Sequence, residues 1–115
     1  MTPLIDRIPV CPHGSKDDID ITLKLALEKL ELKVGYALNF ISGYRCYDCN
    51  LAAGGVKQSA HMRGLAVDVR ADNSAERFHI VHGAILLGFQ RIGIGRNFVH
   101  LDVDYDLPQH VLWLY

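Results

Sequence analysis

No run of apolar residues reaches the roughly 18 that a helix needs to cross a bilayer, which excludes a helical membrane span. Charge of one sign is also missing: 12 Lys and Arg face 13 Asp and Glu, a formal net charge of −1. A protein whose main task is gripping phosphate backbones works through a net basic field, so a nucleic-acid partner is not expected. Cysteine is scarce and odd in number, with Cys11, Cys46 and Cys49 alone in 115 residues. A secreted disulfide scaffold carries an even and denser set, so reduced thiols are the expectation. The opening MTPLIDRIPVCPHGS lacks the basic start and apolar run of a secretory signal. Retention in the cell, export by another route and a trimmed chain are all compatible with it. There is no internal repeat, no low-complexity tract, no Gly-x-x-x-x-Gly-Lys phosphate loop and no nucleophile elbow.

Half of the residues are apolar and 22% are charged, the balance of an ordinary globular chain. That much apolar surface offsets the ordering entropy, so general disorder is excluded. The length suits one domain over residues 1–115, read as a monomer. A chain of this size buries roughly two thirds of its unfolded surface, enough for a core without disulfides or a structural metal.

Residues 17–34 read as the first helix. Ser15 and Asp17 are candidate caps, Asp17, Asp18 and Asp20 put negative charge at the positive end, and Gly35 is the stop. Ile19, Leu23, Ala26, Leu27, Leu30 and Val34 recur at helical spacing, and Ile21, Leu25 and Leu32 widen the apolar face, which predicts a well-buried helix. Residues 36–42 read as a strand, 45–53 as a short helix or turn, and 56–63 as a loop. Residues 65–70 alternate, with Leu65, Val67 and Val69 on one face and Gly64, Ala66, Asp68 and Arg70 on the other. Asn73 and Glu76 stand at capping-box spacing before a second helix, whose apolar positions include Phe78, Val81, Ile85 and Leu86 and which ends at Gly88. Residues 90–94 and 98–103 read as a hairpin around Gly95-Arg96-Asn97, and 111–115 as an edge strand. This order predicts an α+β fold, a small, mostly antiparallel sheet flanked by helices.

The chemistry concentrates in Ser59-Ala-His61-Met-Arg-Gly64-Leu-Ala66-Val-Asp68. A carboxylate in the middle of a half-buried strand is costly unless it is paired or binds a cation, and the small Gly64 and Ala66 on its own face leave room. Phe98-Val-His100-Leu-Asp102 turns His100 and Asp102 to one strand face. His61, Asp68 and His100 together offer two imidazoles and one carboxylate. Zinc accepts that set with a fourth position open, and iron, nickel or copper also suit it. The competing reading is that these are hydrogen-bonded structural groups.

Ser-x-His-x-x-Gly-x-Ala-x-Asp followed by a late His-x-Asp resembles the zinc D-Ala-D-Ala carboxypeptidase (M15) type of peptidase, whose wider relatives include the hedgehog signalling fold. Ser42-Gly43-Tyr44-Arg45 with Asn50, the pair Gly54-Gly55, the Gly-x-Gly at 93–95 and the aromatic end at Trp113 fit the same pattern, and the resemblance covers about residues 17–115. It implies zinc bound by His61, Asp68 and His100. It further implies Arg45 meeting a substrate carboxylate or carbonyl and Ser59 contacting substrate or orienting the metal loop; Tyr44 is read as a substrate-binding residue, and Tyr44, Trp113 and Tyr115 as packing or cleft-wall aromatics. The implied reaction is hydrolysis of a peptide bond in the stem peptide of bacterial peptidoglycan, by a carboxypeptidase or endopeptidase. Several members place an acid three residues before the last ligand, where this chain has Asn97. Asp102, about 7 Å along the strand from His100, is the nearest substitute as base, or it orients an imidazole. A zinc-stabilised binding module that does not cut is the alternative function. Cys46-x-x-Cys49 is read as plain thiols, with a redox role or half of a second metal site as weaker readings and Cys11 with His13 as a faint partner. His79 and His82 are read as surface or packing residues. The implied substrate lies outside the cytoplasm, so a phage lysis or tail-associated protein would reconcile it with the missing signal.

Overall fold

The computed structural model describes residues 2–56 and 58–115. Among these, three α-helices, α1 (Ile21–Val34), α2 (Tyr47–Ala52) and α3 (Ser74–Leu86), accompany five strands, β1 (Phe40–Ser42), β2 (Ala66–Arg70), β3 (Arg91–Ile94), β4 (Phe98–Asp102) and β5 (Val111–Leu114). Short 3-10 turns lie at Leu4–Arg7, Lys16–Asp18 and Ala60–Arg63. Within the segment 56–63 expected as loop, Lys57 lies outside the described residues and Ala60–Arg63 is one of these turns. The strands form one sheet in the order β1-β2-β4-β3-β5.

The α+β class read from the sequence is the observed one. The sheet, expected to be mostly antiparallel, is mixed: β1–β2, β2–β4 and β4–β3 are antiparallel, and β5 runs parallel to β3. The cause is topological. After β4 the chain reverses, passes β3 and pairs on its far side, so β3 and β5 both run opposite to β4. Arg91 Nη1 donates to the Pro108 carbonyl at 2.7 Å and ties the connection down.

The first helix begins later than its charges suggest. Ser15 caps the 3-10 turn at Lys16–Asp18, and the α-helix is capped by Asp20, whose carboxylate accepts from Thr22 N at 2.8 Å. Gly35 ends it in the left-handed region at φ 84°. The broad burial expected for α1 is corrected: Leu23, Leu27 and Leu30 are buried, while Ile21, Leu25 and Leu32 are exposed. One stripe faces the sheet, and the flanking residues find nothing to pack on. In α3, Ile80 and Ala84 are buried, and of the apolar positions read from the sequence Phe78, Ile85 and Leu86 are exposed. Gly83 sets this rotation, because a Cβ there would press on Leu30 Cδ1 at 2.9 Å, so α1 and α3 close on a glycine. At the start of α3, Asn73 accepts from Glu76 N at 2.9 Å, and Glu76 returns the contact to Asp72 N at 2.8 Å.

These two helices cover one sheet face. Val67 and Val69 of β2, Val99 and Leu101 of β4 and Ile92 of β3 meet Leu23, Leu27, Leu30 and Ile80 in one core cluster. Truncating a fully buried leucine such as Leu27 to alanine costs about 2–5 kcal/mol. The period-2 alternation then turns Asp68, His100, Gly93 and Asp102 to the opposite face. Register lines them up. Ser42 pairs with Asp68, Asp68 with His100, His100 with Gly93 and Gly93 with Trp113, one row across all five strands.

Candidate metal centre

His61 is delivered by the 3-10 turn. Ser59 Oγ caps it, accepting from His61 N at 3.2 Å, and Gly64 closes it at φ 69°. A Cβ on Gly64 would collide with the Asp18 carbonyl, and Asp20 N donates to Gly64 O at 2.9 Å, so the turn is seated on the start of α1. The His61 ring is buried, with Nδ1 2.8 Å from the Gly43 carbonyl. A carbonyl only accepts, so Nδ1 carries the hydrogen and the Nε2 lone pair faces inward.

That lone pair meets Asp68. Nε2 of His61 is 3.5 Å from Asp68 Oδ1, and Nδ1 of the cross-strand His100 is 3.2 Å from the same oxygen. The second oxygen, Oδ2, accepts from Ser42 Oγ at 2.8 Å. Ser42 reaches it because β1 slips register between Phe40 and Ser42, a bulge that re-aims the strand end. Tetrahedral zinc holds N and O ligands at about 2.0–2.2 Å, which spaces them about 3.3–3.6 Å apart. The two separations to Asp68 Oδ1 lie in or next to that range, all three ligand atoms lie within 4.8 Å of one another, and two imidazoles with one carboxylate are a donor set zinc accepts. Burial alone would raise the Asp68 pKa, but the hydrogen bond from His100 outweighs it and holds the carboxyl well below its usual range. Burial opposes charge on His100, yet its bonds to Asp102 and Asp68 raise its pKa above the ordinary histidine value.

Behind His100 lies a further layer. His100 Nε2 donates to Asp102 Oδ2 at 2.6 Å. Asp102 is 1% exposed, and its other oxygen accepts from Arg91 Nε at 2.8 Å and from Asp104 N at 3.2 Å. The Arg91 guanidinium stacks 5.0 Å from the Trp113 ring, and Trp113 lies 5.3 Å from the His100 ring. Gly93 makes that possible, since a Cβ there would stand 2.7 Å from the Trp113 indole nitrogen. Asp104, also buried, pairs with Arg63 of the His61 turn.

The cluster opens into a cleft of about 530 Å³ whose lining includes Arg45, Ser59, Trp113 and Tyr115. Arg45 Nε is buried there without a hydrogen-bond partner among the described residues. Of the residues singled out in the sequence, His61, Asp68, His100, Asp102, Arg45 and Ser59 all line this cleft. Tyr44 does not: it packs against the core and lines a separate hollow with Cys11 and Cys49. Asn97 is exposed in the β3–β4 turn, outside the cleft lining. His79 and His82 are exposed on α3. Sequence reasoning missed Ser42, Arg91 and Asp104 as supports. Ser42 lies in a quoted motif and Asp104 continues the spacing of His100 and Asp102, while Arg91 carries no local signal.

Fold and site together define a small α+β domain with a two-histidine, one-aspartate cluster of metal-ligand type on the floor of an open cleft. A family model described as Peptidase M15 matches residues 7–102, and the chain belongs to that family. A search of the curated proteins finds no match. Membership implies a peptide as substrate, and among the described residues no helix is long and apolar enough to cross a membrane.

Proposed function

We propose that the protein is a zinc metallopeptidase that hydrolyses peptide bonds in the stem peptide of bacterial peptidoglycan. The observation that carries this reading is the convergence of His61 Nε2, Asp68 Oδ1 and His100 Nδ1 at ligand spacing on the cleft floor. Those three residues hold the ion. The chemistry zinc supplies when bound is Lewis-acid polarisation of a carbonyl and a water whose pKa falls toward ~7. Arg45 binds a carboxylate or carbonyl of the peptide, since its planar fork suits such oxygens and its buried Nε has no partner among the described residues. Ser59 fixes the His61 turn from the cleft wall.

Asp102 orients His100 and is not the base. Both of its oxygens are engaged, by His100 Nε2 on one side and by Arg91 and Asp104 N on the other. Such a carboxylate–histidine pair fixes the tautomer and raises the basicity of the ligand nitrogen.

The same geometry favours a second reading, a zinc-stabilised module that binds cell-wall peptide without cutting it. Both carboxylates that line the cleft among the described residues are committed, Asp68 to the ligand trio and Asp102 to His100 and Arg91. Incubation of zinc-loaded protein with purified peptidoglycan decides between the two. Release of new amino groups, stopped by a chelator, is expected of the peptidase. Co-sedimentation with the wall and no release would leave the binding module.

A further inference from the structure

We infer that Cys11, His13, Cys46 and Cys49 form a second metal site, a closed Cys3His zinc site that clamps the N-terminal segment to the start of α2. It lies apart from the trio on the sheet and does not depend on the peptidase reading.

One ligand atom from each of the four residues lies within 4.8 Å of all the others. Cys46 Sγ and Cys49 Sγ each stand 3.5 Å from His13 Nδ1. With Zn–S near 2.3 Å and Zn–N near 2.0–2.1 Å, a tetrahedral ion spaces sulfur and nitrogen about 3.5–3.6 Å apart. Cys46 N donates to Cys11 Sγ at 3.4 Å, a contact that stabilises a thiolate. All three cysteines are free thiols. An odd count leaves one unpaired in any disulfide scheme, whereas three thiols and one imidazole complete a tetrahedron.

Packing brings the two halves together. Cys11 N donates to the Tyr44 carbonyl at 3.1 Å, which lays the N-terminal loop beside the segment leading to Cys46. Gly14 lets Tyr44 in, since a Cβ there would stand 2.5 Å from the ring. Cys46 stands at the N-terminal boundary of α2 and Cys49 follows three residues later, which turns both sulfurs to the same side. With four protein ligands the site keeps no position for substrate, so its role is structural. It grips the chain beside Gly43, which orients His61, and Arg45, which enters the cleft.

Cobalt(II) titration of the reduced, metal-free full chain tests this. Thiolate-to-cobalt charge-transfer absorption should grow, saturate by two equivalents per chain and at one in His61→Ala, and be abolished by zinc. It should persist in His61→Ala and fall sharply in Cys49→Ser. Alkylation of the unsubstituted chain supplies a check that needs no variant, because zinc should protect all three thiols. A spectrum without sulfur charge transfer, an absorption unchanged in Cys49→Ser, or thiols that alkylate equally with and without zinc would overturn the site. Loss of metal in His61→Ala with none in Cys49→Ser would overturn it as well.

Discussion

The two polar clusters of this chain rest on different supports. His61, Asp68 and His100 stand mainly on β2 and β4, where antiparallel register sets Asp68 opposite His100 and core packing on the far face holds both strands. Cys11, His13, Cys46 and Cys49 stand on a loop and a six-residue helix, with His13 exposed to solvent. The side chains of the sheet cluster are each held from behind: His61 donates to the Gly43 carbonyl, Ser42 donates to Asp68, and His100 donates to Asp102. The loop cluster has one backbone hydrogen bond to sulfur, and its other contacts are among the ligands themselves. A rigid support suits a site that must keep one position open. A support of loop and short helix suits a site that a metal closes.

That contrast can be broken by substitution. The largest effect is expected from His61→Ala, which should remove metal from the sheet cluster and abolish peptide cleavage while the circular dichroism spectrum is kept. Bound zinc counted by mass spectrometry, with the thiol-bound equivalent retained, checks it. Asp102→Asn should be milder, lowering zinc affinity at the sheet cluster and peptide cleavage by about 10–100-fold each. Cleavage lost completely at full zinc occupancy would return Asp102 to the role of base. Gly64→Ala should destabilise the fold by about 1–3 kcal/mol through the left-handed backbone at φ 69°, with the Asp18 collision added, and urea unfolding reads it.

The smallest effect is the pH dependence of the metal-free chain. His100 has a raised pKa in the fold, so its contribution is full below the unfolded histidine value of about 6.5 and is lost as pH rises through the folded value. Asp68 has a lowered one, so its contribution is full above the unfolded value of about 3.9 and is lost as pH falls through the folded value. Stability of the chelated protein should therefore peak between about pH 4 and 6.5 and decline toward alkaline pH. Zinc requires His100 Nδ1 without its proton, so the metal-loaded chain should lose that alkaline decline. Urea midpoints across pH, with and without chelator, test the sign.

Much of the sheet cluster could be read from residues in order. Alternation through 65–70 placed Val67 and Val69 in the core and Asp68 on the other face, as observed. The block from Ser59 to Asp68 and the pair His100 and Asp102 carried the likeness to the M15 peptidases. The supports were less visible. Arg91 meets Asp102 because β3 lies beside β4, and nothing near position 91 announces it. Tyr44, read either as a substrate-side or as a packing aromatic, packs against the core and lines the hollow with the cysteines. Cys11 and His13 gave a faint signal: 32 residues separate His13 from Cys46, and the distance between them is set by how the N-terminal loop packs on Tyr44.

Local backbone geometry is written in neighbouring residues. The Asn73 cap, the glycine stop at 35 and the two-sided character of β2 and β4 were therefore available from the chain alone, whereas the cap at Asp20 was not. Strand order, the parallel seating of β5, the rotation of α1 and α3 about Gly83 and the meeting of Cys11 and His13 with Cys46 and Cys49 came from folding in three dimensions. Each of these joins residues far apart along the chain, and their approach is selected by the packing of the whole core rather than by any preference of the residues themselves.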